Sequence, residues 1–292
     1  MDGGKSFLPS IEIAANELPS GKFFQNMAVS GDGNIHVAWL DSPVKNNGTG
    51  YLVSDSSRPS TVRYSQSMDG GKSFMPTKAL DENPCPCCNV QLATDAESNV
   101  YVSWRGVFGE GETQIRDMVV ASSSNSGKIF SSPVKIHEDN FNFNGCVHVG
   151  APMDVDSKGN LHVVWYTGSE SSPGIYYATS SDHGQTFSQP VPILTSDWVP
   201  PLRVYLTIDD NDTTWITWED ATGLSINDKV WRYGETEAMI FAAKITSDGK
   251  IIKFDKSVSV DGAKSPAIAS GNNVVSIVWT GIDNSVQLAT IP

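Results

Sequence analysis

The sequence places its soft metal-ligating side chains in two short stretches. Three of its four cysteines lie in the stretch NPCPCCN, and the fourth lies in GCVHVG, two residues before a histidine. Thiolates and an imidazole select copper or zinc over magnesium or calcium. The two stretches therefore predict one metal site, whose candidate ligands are Cys85, Cys87, Cys88, Cys146 and His148.

The elements that must position these residues recur five times along the chain. Each unit has an alternating strand, an acidic or Gly/Asn turn, and a second strand that ends in tryptophan. The five tryptophans are Trp39, Trp104, Trp165, Trp218 and Trp279. Period-two hydrophobicity with turn signals at this repeat length predicts one four-stranded propeller blade per unit.

A second motif follows the third predicted strand of these units. It reads SMDGGKSF at Ser67–Phe74, SSNSGKIF at Ser123–Phe130 and SSDHGQTF at Ser180–Phe187, with degenerate or partial copies at Ser247–Lys250 and Asp2–Phe7. The pattern resembles the Asp-box, or BNR repeat, of sialidase-like β-propellers. That resemblance covers the whole chain and implies that each box joins the third and fourth strands, on the face away from the active site.

The repeats predict an all-β fold, a single domain over residues 1–292. It is a five-bladed β-propeller with four-stranded antiparallel blades at approximately 26–80, 89–136, 151–194, 204–256 and 265–292 plus 1–14. The C-terminal strand Ser285–Thr290 lacks a following Asp-box, and the N-terminal box lacks a preceding strand. We expect the strand near Ile11–Ile13 to pair with the C-terminal strand, which closes the ring and removes its edges. Sialidases of the resembled family have six blades, so five blades depart from that family.

The blade alignment brings the two cysteine stretches together. Trp104 and Trp165 differ by 61 positions (165 minus 104), and the same offset separates Cys85 from Cys146 and places Cys87 opposite His148. Each pair precedes the innermost strand of its blade, on the face opposite the Asp-boxes. We expect the pairs to meet between blades two and three.

Two alternatives to a metal site remain open at this stage. Four cysteines can form disulfides in three pairings. A Cys85–Cys146 bridge would join two blades but would leave Cys87 and Cys88 adjacent, where only a strained vicinal disulfide can form. The thiols could also be inert. An open, thiolate-rich, extracytoplasmic site favours copper, in one or more ions, with zinc as the alternative. The chain also resembles a subgroup with a CPCC stretch and a GC-x-H stretch one blade later, and this resemblance implies no particular reaction.

The resemblance raises a second hypothesis, a glycoside hydrolase similar to sialidases. That chemistry needs three arginines for the substrate carboxylate, a Tyr/Glu nucleophile pair and an Asp that acts as the acid. The Arg-Ile-Pro signature of the family is absent near the start of the chain. Candidate catalytic residues on the loop face are Arg105, Arg116, Asp117, Arg203 and Glu219.

Composition limits the possible partners. A net charge of −13 and a pI of about 4.7 argue against a nucleic-acid or anionic-membrane partner. No apolar run approaches the ~20 residues of a membrane span. The acidic, turn-rich chain is typical of an extracytoplasmic protein (secreted, periplasmic or cell-surface), with a leader expected to have been removed. We therefore predict a copper-binding propeller with a storage, delivery or redox role. A third hypothesis is a module with disulfide-bonded cysteines that binds carbohydrate or protein on its loop face.

Overall fold

The structure, a computed structural model, describes residues 6, 9–14, 20–46, 48, 52–55, 58–143, 145, 147–221, 238–272 and 274–291. Their regular structure consists of twenty β-strands and one short 3-10 helix, Gly111–Thr113. The all-β prediction is confirmed. None of the helical structure in the described residues is long and apolar enough to cross a membrane.

The strands form five antiparallel sheets, numbered here in chain order. Sheet 1 contains β1 (Ser20–Val29), β2 (Ile35–Asn46), β3 (Leu52–Ser54), β4 (Thr61–Ser67) and β5 (Lys78–Asp81). Sheet 2 contains β6 (Gln91–Thr94), β7 (Val100–Arg105), β8 (Met118–Ser123) and β9 (Val134–Lys135). Sheet 3 contains β10 (Met153–Val155), β11 (Leu161–Thr167), β12 (Gly174–Ser180) and β13 (Val191–Thr195).

Two further sheets follow toward the C-terminus. Sheet 4 contains β14 (Val204–Ile208), β15 (Thr214–Asp220), β16 (Met239–Ile245) and β17 (Ile251–Lys253). Sheet 5 contains β18 (Lys264–Gly271), β19 (Val274–Thr280) and β20 (Val286–Ile291). In sheets 2 to 4 the strands pair in chain order, and sheet 1 adds β3 beside β2. Consecutive antiparallel pairing through short connections gives each sequence repeat its own sheet.

Each of the five repeated tryptophans lies in the second main strand of its sheet and is buried. The first strands β1, β6, β10, β14 and β18 contact one another in chain order. Apolar cores fill the spaces between neighbouring sheets; the side chains of Leu92 and Val102 from sheet 2, for example, pack with Leu40 and Tyr64 from sheet 1. The sheets are therefore arranged side by side with their first strands adjacent, as the blades of a propeller are.

The Asp-box turns connect β4 to β5, β8 to β9 and β12 to β13, the positions that the resemblance implies. In the first box, Asp69 Oδ1 accepts the backbone amide of Ser73 at 3.0 Å, and Ser67 Oγ accepts the amide of Gly71 at 2.8 Å. Gly71 has a φ of 85°, a left-handed conformation in which a side chain is strained. The Asp and Gly of the motif are thus explained by the turn itself.

The predicted ring closure is not seen in the part of the chain that the structure describes. Residues 9–14 form no strand there, and sheet 5 contains three strands. Most of the N-terminal Asp-box copy, including Asp2, lies outside the described residues. Closure of the ring by this segment stays a prediction.

Polar contacts also cross between sheets. The indole Nε1 of Trp104 in β7 donates to Asp81 Oδ2 at the end of β5, at 2.7 Å. The indole Nε1 of Trp165 in β11 donates to Asp139 Oδ2, in the segment after β9, at 2.8 Å. The tryptophan of sheet 2 therefore bonds to a carboxylate of sheet 1, and the tryptophan of sheet 3 bonds to a carboxylate in the segment that follows sheet 2.

Candidate metal centre

The first cysteine stretch lies between β5 and β6 and is tied to the end of β7. The amide of Cys85 donates to the carbonyl of Arg105 at 2.9 Å, and Pro84 forms an isolated bridge with Gly106. The chain is thus held against the loop-face end of the second strand of sheet 2. This anchoring turns the three cysteines into the interior.

The three sulfur atoms form one compact group. The Sγ atom of Cys85 lies 3.1 Å from that of Cys88 and 3.8 Å from that of Cys87. All three lie within 4.8 Å of one another and are buried, with exposed fractions of 2% for Cys85 and Cys88 and 9% for Cys87. Such a group can hold a soft metal ion.

The three cysteines of this group differ in oxidation state. Cys87 is disulfide-bonded, whereas Cys85 and Cys88 carry free thiols. The Cys85–Cys146 bridge considered from the sequence is therefore not formed, because the Cys85 thiol is free. A disulfide sulfur is not a thiolate ligand, so Cys85 and Cys88 are the available pair and Cys87 joins them only after reduction. Cys146 lies outside the described residues.

The second stretch lies beside the first. The backbone amide of His148 favours the thiolate form of Cys88 and so acts to lower the pKa of that thiol. The side chain of His148 is exposed, its φ is 56°, and its ring centroid lies 6.2 Å from that of Phe24. Among the described residues, the side chains that could hold a metal ion together are those of Cys85, Cys87 and Cys88, without a histidine. In this structure the influence of His148 on Cys88 therefore comes from its backbone amide and not from its imidazole.

Two buried arginines supply positive charge to the sulfurs. Arg116 donates through Nη1 to Cys85 Sγ at 3.5 Å. Arg105 is 1% exposed and donates to the carbonyls of Arg116 and Tyr166, at 2.8 and 2.9 Å. Its guanidinium also lies 5.4 Å from the centroid of the Phe141 ring. Two fixed cations beside a thiol favour its thiolate form.

The two free thiols differ in acidity. The hydrogen bond from Cys88 lowers the pKa of Cys85 to about 6, assisted by the amide of Cys87 and the charges of Arg105 and Arg116, against a burial effect that raises it. The same bond and burial raise the pKa of Cys88 well above its ordinary value. The pair therefore holds one thiolate and one thiol near neutral pH.

Apolar side chains surround the cluster. They come from four separate segments of the chain, and the buried residues packed with the cysteines are Phe141, Val147, Val149, Tyr166, Val199 and Leu202. A shell of this kind limits access of water and strengthens the electrostatic contacts inside it. The site is thus enclosed rather than open, contrary to the open site expected from the sequence.

The candidate sialidase residues separate into two groups. Arg105 and Arg116 belong to the cysteine cluster, and the buried Asp117 accepts the amide of Phe141 at 3.1 Å and pairs with Lys135 at 3.1 Å. These three residues lie in sheet 2 and its loops.

The second group lies between sheets 4 and 5. Arg203 Nη1 donates to Ser265 Oγ at 2.5 Å, and its amide donates to Glu219 Oε2 at 3.3 Å. Glu219 Oε1 accepts the amide of Ser265 at 2.5 Å, and burial raises the pKa of Glu219. Residues 222–237, which follow Glu219 closely in the sequence, lie outside the described residues.

Sequence reasoning missed the pairing that defines the cluster. Cys85 and Cys88 have the C-x-x-C spacing, which was read only as part of a three-cysteine stretch. The spacing itself is the signal that could have identified the free pair. The contact between Arg116 and Cys85 spans 31 positions, and no local pattern predicts it.

Comparison with known proteins supports the fold. No protein-family model matches the chain, and no curated protein matches its sequence. Among solved structures, a Dyadobacter fermentans protein of unknown function is similar, with a TM-score of 0.60 and 13% identity over 93% of this chain and 79% of that chain.

Two sialidase structures are also similar. A leech intramolecular trans-sialidase has a TM-score of 0.55 and 11% identity, over 94% of this chain and 56% of that chain. A NanB sialidase mutant from Streptococcus pneumoniae has a TM-score of 0.56 and 12% identity, over 92% of this chain and 55% of that chain. This chain thus spans little more than half the length of either sialidase. At these identities the likeness shows the fold alone, and the chain has a sialidase-like β-propeller fold.

Proposed function

We propose that this protein is an extracytoplasmic copper-binding β-propeller that holds Cu(I) between the thiolates of Cys85 and Cys88. The observation that carries the proposal is a pair of free, buried thiols 3.1 Å apart beside the Arg116 guanidinium. The disulfide at Cys87 supports an extracytoplasmic location, because disulfides persist mainly in oxidising compartments.

The ligand set favours copper over zinc. Zinc in structural sites takes four protein ligands, whereas thiolates select Cu(I) among the soft ions. In the observed oxidation state two thiols are available, Cys85 and Cys88. Two sulfurs bound to one ion by metal–sulfur bonds of about 2.3 Å lie at most about 4.6 Å apart. The sulfurs of Cys85 and Cys88, 3.1 Å apart, lie within that limit.

The charge of the site suits such a complex. Two thiolates and one Cu(I) carry a net charge of −1, which is costly in an apolar shell unless a cation lies nearby. Arg116 contacts Cys85 directly, and Arg105 lies behind it with its guanidinium bound to two carbonyls. Both arginines are buried, so their charges are screened little by solvent.

Further ligands belong to a reduced state. Reduction of the Cys87 disulfide adds a third thiolate, 3.8 Å from Cys85. We propose Cys146 and His148 as additional ligands in that state, with His148 turning its imidazole toward the sulfurs. A site that gains ligands on reduction suits copper storage or delivery, and redox work where a coordination position stays open.

Copper binding is tested by titrating the oxidised, metal-free protein anaerobically with Cu(I) in competition with a chromophoric chelator. We expect about one Cu(I) per chain, and loss of binding in the Cys85→Ser, Cys88→Ser double variant. Cys87→Ser is the matched control and should still bind. Unchanged stoichiometry in the double variant would rule the site out, and zinc bound in preference to Cu(I) would rule out copper.

A further inference from the structure

The three cysteines of the first stretch combine a dithiol and a disulfide within one buried group. Cys85 and Cys88 are free and 3.1 Å apart, while the disulfide-bonded Cys87 lies 3.8 Å from Cys85, measured between sulfur atoms. Thiol–disulfide exchange needs a thiolate next to a disulfide sulfur and a second thiol to complete the transfer. All three parts are present here within 4.8 Å.

We infer that Cys85 and Cys88 form a redox-active C-x-x-C dithiol whose substrate is the disulfide at Cys87. The inference concerns the thiol chemistry of the cluster and does not require a metal. Its consequence for metal binding, given below, rests on the proposed function.

The exchange proceeds in two balanced steps. The Cys85 thiolate attacks Cys87 Sγ, so that a Cys85–Cys87 bond forms while the bond from Cys87 to its former partner breaks, and that partner leaves as a thiolate and takes up a proton. The Cys88 sulfur then gives up its proton and attacks Cys85, and Cys87 leaves as a thiolate. One disulfide replaces another, two thiols replace two thiols, and no outside oxidant or reductant is consumed.

Burial selects the internal disulfide as the substrate. Cys85 and Cys88 are each 2% exposed, so an external disulfide would have to enter the apolar shell to reach them. The Cys87 sulfur is already in contact range. Cys85 Sγ is in contact range of Cys87 Sγ, at 3.8 Å, and of the Arg116 guanidinium, at 3.5 Å, which assigns the attack to Cys85. Cys88 Sγ lies 3.1 Å from Cys85 Sγ, in position for the second step.

The position of the disulfide then controls the metal site. With the disulfide at Cys87, the Cys85–Cys88 pair is available as two thiolates. With the disulfide moved to Cys85–Cys88, that pair is lost and Cys87 is released as a thiol. Copper held by Cys85 and Cys88 would trap the first isomer, and loss of copper would permit the second.

The test uses the native, oxidised, metal-free protein incubated with N-ethylmaleimide, followed by acid quench, digestion without reductant and mass mapping. Cys87, the most exposed of the three, is captured irreversibly once released. We expect label to accumulate on Cys87 together with a Cys85–Cys88 disulfide. In Cys85→Ser, labelling of Cys87 should fall by at least about tenfold, because the attacking thiolate is gone.

A second variant keeps the test decisive if Cys85→Ser folds poorly by circular dichroism. In Cys88→Ser the exchange should stop after the first step, leaving a Cys85–Cys87 disulfide and no label on Cys87. Absence of label on Cys87 in the wild-type protein, with or without label on Cys85 and Cys88, would overturn the inference. No copper is present in this test, so its outcome is separate from that of the Cu(I) titration. Exchange here, together with failure of the untreated protein to bind Cu(I) in that titration, would overturn the proposed function alone.

Discussion

Arg116 donates through a single atom, Nη1, to the Cys85 sulfur at 3.5 Å and to the carbonyl of Gly145 at 2.5 Å. Gly145 begins the second cysteine stretch, so one guanidinium connects both stretches of the candidate site. The contact fixes a positive charge against one sulfur and not against the whole group. It thereby distinguishes Cys85 from the two neighbouring cysteines.

The pKa of Cys85 should depend most on the hydrogen bond from Cys88 and less on the charges of Arg105 and Arg116. In Cys88→Ala the hydrogen bond that favours the Cys85 thiolate is lost, so the pKa of Cys85 should rise from about 6. Arg116→Met should raise it by a smaller amount. The measurement is ultraviolet thiolate absorbance against pH, with Cys85→Ser as the blank. An unchanged midpoint in Cys88→Ala would show that the hydrogen bond does not set this acidity.

Asp-box stability should depend on an oxygen acceptor and not on charge. The second box carries Asn125, whose Oδ1 accepts the amide of Ile129 at 2.8 Å, as Asp69 accepts that of Ser73. Asp69→Ala should therefore lower the free energy of unfolding, whereas Asp69→Asn should lower it less. Urea denaturation measures both variants. Equal losses would indicate that the carboxylate charge matters in this turn.

Stability should fall in mild acid because His162 is buried as a neutral imidazole. Burial lowers its pKa from 6.5, although Asp156 at 3.3 Å, Asp154 and Asp212 oppose the shift, and Tyr177 bonds the other ring nitrogen at 2.6 Å. The unfolded chain therefore takes up the proton first as the pH falls below 6.5. The stabilisation is complete above 6.5 and is lost as the pH falls through the folded pKa.

The measurement compares the free energy of unfolding at about pH 7.5 and about pH 5 in urea. His162→Gln should show a smaller loss between the two pH values than the wild-type protein. His183→Gln, in an exposed Asp-box position, is the control and should keep the wild-type difference. Identical differences in the wild-type protein and His162→Gln would exclude His162 as the source.

A fluorogenic sialoside should not be turned over. Arg105 and Arg116 are buried and bonded to carbonyls, so they are not free to bind a substrate carboxylate. Arg203 is likewise bonded to Ser265. The assay compares the protein with an active sialidase at equal concentration. Turnover that disappears in Arg203→Gln would contradict this expectation and restore the glycosidase hypothesis.

The sequence predicted the parts of the fold that depend on local pattern. Alternation around Trp104 and Trp165 identified the second strands, and turn chemistry identified the boxes at Ser67–Phe74 and Ser180–Phe187, because a hairpin and its turn are specified by neighbouring residues. The sequence around the extra strand β3 shows no comparable alternation. Its pairing with β2 was not predicted.

The candidate site was predictable in location but not in chemical state. The offset between blades associated the Cys85 stretch with the Cys146 stretch, and Arg116 does contact both Cys85 and Gly145. Which sulfur is oxidised depends on distances between side chains, and four cysteines permit three pairings. The role of Arg116 depends on its contact with Cys85, 31 positions away along the chain. The periodic pattern of the sequence does not predict a contact of this kind.

The hydrogen bonds that the indole groups of Trp104 and Trp165 make to preceding parts of the chain affect how the protein unfolds. Trp104 bonds to Asp81 of the preceding sheet, and Trp165 to Asp139 in the segment that follows sheet 2. If sheet 1 unfolds, the buried indole of Trp104 loses its hydrogen-bond acceptor. The loss destabilises sheet 2 by about 1–3 kcal/mol. Sheets 2 and 3 are thus each less stable without the preceding sheet, which couples the first three repeats into one cooperative unit of unfolding.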